Sequence, residues 1–245
     1  MYNSFKNIIT QIVPKKIFIK HEATLRKCFS VIYFGNKYHC NICNKNLRTF
    51  IKLSNKDSLC PNCGSLRRNR RLWTILESEF ILDNITVLDF SPSRCLFRKM
   101  KKIENINYFS TDLSGDFIAD YHFDITNIEI ADHSFDLVIC YHILEHIEDD
   151  ILAIKELFRV MKPGAKALIQ TPFKHGNIYE DNTIINKKDR LLHFGQEDHV
   201  RIYSIEGLKQ RLESCGFFVE VRDNFTIKNK NDFDEFETIL VVIKQ

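Results

Sequence analysis

Long apolar runs are missing from this chain. No stretch reaches the ~18–20 consecutive apolar residues of a membrane-spanning helix, so a helical membrane protein is not expected. The N-terminus lacks an uninterrupted apolar core followed by a small-residue cleavage site, which argues against a secretory signal. A strong charge of one sign is also absent: the formal net charge is +3, which neither demands nor excludes a nucleic-acid partner. Glycine is missing from the whole interval between Gly64 and Gly115, so no turn there can draw on glycine's access to left-handed backbone conformations. What is present is ordinary for a globular protein, with 44% hydrophobic residues in 245. A chain of that length can bury a core without disulfides, and it suits one α/β domain with a small accessory module.

Eight cysteines would suit a secreted scaffold by number, but their placement points elsewhere. Cys28, Cys95, Cys140 and Cys215 are scattered among apolar residues, where a reduced thiol behaves as a small hydrophobe. This pattern predicts a reducing, cytoplasmic setting. The other four form two Cys-x-x-Cys knuckles, Cys40/Cys43 and Cys60/Cys63, separated by sixteen residues. Two intervening residues let a tight turn aim both sulfurs at one ion, and Gly64 relieves the turn's exit. Two knuckles complete a closed tetrahedral set with no open position for catalysis. The expectation is therefore a structural Zn2+ held by Cys40, Cys43, Cys60 and Cys63, in a zinc ribbon over residues 37–66.

Residues 1–36 form a leader in which Ile17, Ile19, Leu25, Phe29, Ile32 and Tyr33 alternate with Lys15, Lys16, Lys20, Arg26 and Lys27. This reads as a basic amphipathic helix broken at Pro14, packing on its own domain or docking on a partner or membrane surface. After the ribbon comes Leu66-Arg67-Arg68-Asn69-Arg70-Arg71-Leu72. Its arginines suit either a solvated connecting helix or contacts to RNA phosphates or an anionic substrate.

The remainder, residues 67–245, carries an α/β pattern. Ile85–Phe90, with Asp89, is a β-rich run followed by Ser91-Pro92-Ser93 and a helix from Arg94 to about Lys102. Asn107–Leu113 reads as a second strand ending in Asp112, and Asp120–Thr126 as the end of a third, with Asp124. Asp136 precedes a buried parallel strand, Leu137–Cys140. Ile151, Ile154, Leu157, Phe158 and Met161 then recur at helical spacing, Pro163-Gly164 stops the helix, and Ala165–Thr171 is another apolar strand. Ser204 caps a further helix, and Phe217–Val221 and Thr238–Ile243 close the chain as strands.

The segment FDLVICYHILEHI, a helix, and LFRVMKPGAKALI resemble the fourth strand and following unit of class I S-adenosylmethionine-dependent methyltransferases, of the type 11-like group. The resemblance implies a Rossmann-like seven-stranded sheet with an antiparallel last strand inserted beside the previous one, preceded here by the zinc ribbon and the helical leader. It implies S-adenosyl-L-methionine as cofactor. Its binding residues would be Asp89, Phe90, Ser91 and Pro92 in the first loop, and Asp112 on the ribose hydroxyls. Asp124 would meet the adenine amino group, Leu113 and Ile125 would flank the ring, and Cys140, Tyr141 and His142 would border the methionine end. One departure stands out. The family's Gly-x-Gly loop is replaced by Phe90-Ser91-Pro92, similar to a subgroup whose loop reads Phe-(Ala or Ser)-Pro.

Residues 172–198 are long and polar, which predicts an irregular, functional loop. They lead into Phe194-Gly195-Gln196-Glu197-Asp198-His199-Val200-Arg201, very similar to a segment of the same subgroup. Gln196, Asp198 and Arg201 are thus candidates for a substrate wall, with Arg201 suited to an acidic group. His199 and His146 are the candidate bases, since an alcohol acceptor must lose a proton. The subgroup implies O-methylation of a small-molecule or carbohydrate-type (surface glycan) acceptor. An RNA methyltransferase using the ribbon for recognition is the alternative, though the modest charge does not favour nucleic acid and no Asn-Pro-Pro-Tyr-type motif follows the fourth strand. A non-catalytic zinc-ribbon scaffold is a third reading.

Overall fold

The computed structural model describes residues 15–224, 231–232 and 237–245; the expected helix break at Pro14 lies outside them. The described residues fall into two compact units. One draws on residues 15–80, 93–102 and 231–232, the other on residues 81–92, 103–224 and 237–245.

In the first unit, helix α1 (Lys15–Ser30) precedes β1 (Phe34–Cys40), β2 (Lys45–Leu47), β3 (Ile51–Lys52) and β4 (Ser58–Leu59), followed by α2 (Arg67–Ile75) and α3 (Arg94–Met100). Two antiparallel hairpins, β1–β2 and β3–β4, carry the cysteine knuckles. Helix α1 is fixed by Glu22, a buried carboxylate paired with Arg26 at 2.8 Å, Arg94 at 2.7 Å and Arg98 at 3.3 Å. Burial works against its charge, but the three guanidinium groups outweigh it and hold the carboxyl below its ordinary range.

Three of the four arginines of α2 are not part of a solvated or nucleic-acid-facing row; Arg68 is exposed. Arg67, Arg70 and Arg71 are buried. Arg70 donates to the Ser65 and Ser58 carbonyls and the Ser58 hydroxyl, stacks on Phe50 at 4.0 Å, and faces Asp232 at 3.9 Å. A buried guanidinium is tolerable only with its donors engaged, and here they tie α2 to the loop that carries the second knuckle.

The second unit is built on a six-stranded sheet of β5 (Ile85–Phe90), β6 (Ile106–Thr111), β7 (Phe135–Tyr141), β8 (Met161–Gln170), β11 (Phe217–Asn224) and β12 (Glu237–Lys244), in the order β11-β12-β8-β7-β5-β6. β6, β5, β7 and β8 are parallel, while β12 runs antiparallel between β8 and β11. β5, β7 and β12 are near-continuous apolar runs, as strands covered on both faces require. Helix α4 (Asp150–Val160) buries Ala153, Ile154, Leu157 and Val160, and Asp149 caps its start by accepting from the Leu152 N–H at 2.9 Å. β8 starts earlier than the pattern predicts: Met161 pairs with Phe135 and Lys166 with Leu137, so Pro163 and Gly164 occupy a bulge in which proline's missing N–H breaks no ladder.

Two further expectations are corrected. The sheet has six strands rather than seven. The segment 120–126, expected as the end of a third strand, makes only isolated bridges, Thr111 with Tyr121 and Asp124 with Asn127. The N–H groups of Asp120 and Tyr121 both go to the Ser110 carbonyl, and that of Phe123 to the Thr111 hydroxyl, so no regular ladder extends. Nor is 172–198 irregular throughout. β9 (Tyr179–Glu180) pairs with β10 (Arg201–Ile202), and α5 (Lys187–Phe194) is capped by Asn186, accepting from the Asp189 N–H at 2.9 Å, and ended by Gly195 at φ +85°. The chain then enters α6 (Ile205–Ser214), where Ser204 accepts from Gly207 N–H. Among the described residues no helix is long and apolar enough to cross a membrane.

Asp89 is a carboxylic acid at the centre of this sheet. It is buried on β5, and its single side-chain hydrogen bond in the structure comes from the Tyr108 hydroxyl of β6 at 2.8 Å. Burial raises its pKa to about 7, with Tyr108 opposing the rise. Because the folded pKa lies above the unfolded one, the group is protonated in both states at acidic pH. Its charge then destabilises the fold progressively as pH rises from about 4 to 7. Asp89→Asn should therefore melt above the parent protein at pH 8, with the difference shrinking toward pH 4.5. Melting curves across that range check it; a difference independent of pH would show that Asp89 is not held neutral.

Candidate functional site

The carboxyl ends of adjacent parallel strands are where doubly wound sheets place ligands, and here they gather most of the predicted residues. Ser91, directly after β5, adopts φ +46°. It supplies the left-handed turn for which glycine is the usual residue. Its N–H donates to the Thr111 carbonyl at 2.7 Å and its hydroxyl to Asp112 Oδ1 at 2.8 Å, joining the first loop to the end of β6. Asp112 is buried and also accepts from the Ser114 hydroxyl, at 3.0 Å to Oδ2, and the Phe117 N–H at 3.2 Å. The serine hydroxyls are partners that a diol could replace by simple rotation. Of the other predicted neighbours, Leu113 is 63% exposed, while Ile125 lies in the hydrophobic core with Phe90. Asp124 is exposed and closes its own turn by accepting from the Thr126 N–H and hydroxyl.

The ends of β7 and β8 form the other half. Cys140 is fully buried, and burial, with Glu145 and Asp89 nearby, pushes its thiol far above the ordinary range, so it is an inert wall. His142 takes φ +57°, held by its N–H on the Gln170 carbonyl at 2.8 Å and its Nδ1 on Glu145 Oε1 at 3.2 Å. A non-glycine residue held in this conformation is often a functional one. Gln170 Oε1 and the Thr171 hydroxyl are buried without a hydrogen-bond partner among the described residues. Orphaned polar atoms at strand ends call for an external partner, and they sit where the methionine end of S-adenosylmethionine is expected. The residues present thus fit the cofactor. Gln170, Thr171 and Glu145 were not singled out from sequence; the available signal was a polar residue abruptly ending an apolar strand.

The turn Leu144–His146 brings three groups together. Glu145, His146 and His199 each offer a ligand atom within 4.8 Å of the others, and the two imidazoles meet edge to face at 4.7 Å. Burial, and then His146, hold the pKa of His199 below its ordinary value. The segment carrying His199 is fastened to this turn. The Val200 N–H donates to the Glu145 carbonyl at 2.9 Å, and Arg201 donates to the carbonyls of Leu144, Ile147 and Glu148 and pairs with Glu180 at 2.9 Å. Arg201 is therefore buried and fully engaged, and its position is that of a clamp rather than of an anion receptor. Gln196 and Asp198 are exposed, and Asp198 faces His146 Nδ1 at 3.3 Å.

In the first unit, Cys40, Cys43, Cys60 and Cys63 converge. The Cys40–Cys63 and Cys43–Cys60 sulfur separations are 3.7 and 3.8 Å. Sulfurs at ~2.3 Å from one tetrahedral ion would stand about 3.8 Å apart, whereas a disulfide would need ~2.05 Å. Gly64, at φ +79°, returns the chain so that the Cys60 N–H meets the Ser65 carbonyl at 2.8 Å. The four sulfurs could hold one ion with little movement.

Known proteins resemble this chain along the same residues. Residues 69–169 match the type 11 family described as a methyltransferase domain. A malonyl-[acyl-carrier protein] O-methyltransferase of Buchnera aphidicola is 28% identical over 69% of this chain and 57% of its own. A demethylmenaquinone methyltransferase of Staphylococcus epidermidis is 34% identical over 38% of this chain and 35% of its own. The chain thus spans between a third and somewhat over half the length of these curated relatives. A chain of the Haloferax volcanii complex between the Trm112 methyltransferase activator and a methyltransferase superposes with a TM-score of 0.51 at 17% identity, over 71% of this chain and 88% of that one; at that identity the likeness is one of fold. The sequence match and the strand order agree that residues 69–169 are similar to a methyltransferase domain.

Proposed function

We propose that the protein transfers the methyl group of S-adenosylmethionine to a hydroxyl of a small-molecule or carbohydrate-type acceptor. The observation that carries this reading is the Ser91–Asp112 hydrogen bond at the carboxyl ends of β5 and β6, which holds a buried carboxylate at the place a ribose diol would occupy. When bound, the cofactor supplies a methyl group already activated on a sulfonium. What remains for the protein is to align donor and acceptor at near-attack distance and to help the acceptor shed its proton. Asp112 and the first loop hold the nucleoside, Asp124 and Leu113 border the adenine, and Tyr141, His142, Gln170 and Thr171 surround the methionine end. Gln196 and Asp198 line the acceptor side, Arg201 fixes that wall from behind, and His199 and His146 promote proton loss. Burial of Arg67, Arg70 and Arg71 leaves Arg68 as the one exposed arginine of α2, which weakens the case for an RNA-facing row. The O-methyltransferase named among the relatives supports an oxygen acceptor.

The four-cysteine site is proposed to hold a structural zinc ion, within a ribbon of residues 37–66 between the leader and the methyltransferase domain. It serves stability rather than turnover, because a four-sulfur site leaves no open position.

Three outcomes are expected. Calorimetric titration with S-adenosylmethionine should show one site per chain, weakened by about 1–3 kcal/mol in Asp112→Ala, which loses charge-assisted hydrogen bonds; undiminished affinity would misplace the pocket. His199→Ala should lower turnover roughly 10²–10⁴-fold with cofactor affinity nearly intact, and full activity would remove His199 from the site. Metal analysis should find one zinc per chain, lost with a lower melting temperature in Cys60→Ser; a variant that melts normally without metal would refute a stabilising ion.

A further inference from the structure

We propose that Glu145, His146 and His199 bind one divalent first-row metal ion beside the acceptor. The inference rests on the reading of this end of the sheet as the acceptor side and deepens it, by naming how the two histidines assist loss of the acceptor's proton.

Three features point to an ion rather than to a packed polar cluster. The first is the donor set: one carboxylate and two imidazoles within 4.8 Å of one another. Three donors ~2.1 Å from a common ion stand roughly 3–3.5 Å apart, so small side-chain rotations would close the set. Two imidazoles and a carboxylate on one side of an ion leave its other positions open to outside oxygen ligands. The second is Glu145 itself. Its side chain is 1% exposed, Oε1 accepts from His142, and Oε2 is buried with no hydrogen-bond partner among the described residues. A carboxylate oxygen out of water and unpaired costs stability unless something positive meets it, and the imidazoles of His146 and His199 are the groups beside it.

The third feature is the outer layer. Ligating histidines fix their orientation by donating the ring nitrogen that does not face the metal to a carbonyl or carboxylate. His146 places Nδ1 3.3 Å from both the carbonyl and the carboxylate of Asp198, leaving Nε2 for an ion. The His146 ring is thus held in the tautomer and attitude a ligand needs, and the His199 ring is set against it edge to face at 4.7 Å. Access comes from His146, whose side chain is 30% exposed, while His199 is buried behind it. An ion here would draw an acceptor hydroxyl into an open coordination position and lower that hydroxyl's pKa, which accounts for a proton-handling site built from a nearly buried histidine.

Mn2+ is the appropriate probe, because it favours oxygen and nitrogen donors and competes poorly for a four-thiolate site. Zinc-loaded protein titrated with Mn2+, with the free ion followed by electron paramagnetic resonance, should bind one ion per chain. Glu145→Gln, which preserves shape while removing the charge, and His146→Gln, at the exposed edge, should lose that binding while keeping the parent's circular dichroism. Independently of any variant, Mn2+ should broaden the ring-proton resonances of His146 and His199 before those of the other seven of the nine histidines. No binding at millimolar Mn2+, equal binding by parent and variants, or uniform broadening of all histidines would overturn the site. S-adenosylmethionine titration of the same samples separates the two readings: cofactor binding without Mn2+ binding removes the ion alone, and absent cofactor binding removes the proposed reaction.

Discussion

Arg201 holds the candidate site in shape. Its guanidinium accounts for three carbonyls of the 144–148 turn and for the carboxylate of Glu180. Carbonyls in a turn that leaves a buried strand have no ladder partner and would otherwise be orphaned. An arginine can serve several at once because its donors form a rigid planar fork. The consequence reaches beyond local satisfaction. The segment that follows α5 is drawn against the end of β7, and His199 comes to rest on His146 and Glu145. Tyr203 and Arg211 extend the same fastening to Asp150 at the start of α4, where a negative charge also complements the helix dipole.

The two strand-end turns adopt, without glycine, the conformations for which glycine is the usual residue. Ser91 and His142 both lie at positive φ, each pinned by its own N–H to the carbonyl of a neighbouring strand's end, Thr111 and Gln170. A serine in that place also contributes a hydroxyl, which reaches Asp112, and a histidine contributes a ring, which reaches Glu145. Replacing glycine thus adds side-chain contacts to turns that would otherwise present only backbone. These hydrogen bonds tie the end of β5 to that of β6 and the end of β7 to that of β8.

Charge is buried repeatedly in this protein, and in each case geometry decides the outcome. Glu22 meets three arginines and stays ionised. Asp89 has only a tyrosine hydroxyl and is pushed toward neutrality. Glu145 lies between, with one oxygen engaged and one open. The three carboxylates are chemically alike, and the number and sign of neighbouring donors separates a structural anchor from a neutral acid and from a candidate ligand.

Much of this was legible in the sequence. The 3.6-residue recurrence of apolar positions after Asp149 gave the helix, the Val-Ile-Leu runs gave the buried strands, and Cys-x-x-Cys spacing gave the four converging sulfurs, because each depends on contacts within a few residues. The helix between Asn186 and Gly195 was not read, because the stretch between them is largely polar. The fate of the α2 arginines, the loss of regular pairing at 120–126, the clamp role of Arg201, and the meeting of Glu145 with a histidine more than fifty residues away were not legible. A charged side chain's role is set by which donors and acceptors from distant segments surround it. Those neighbours exist only once the sheet has brought the segments together.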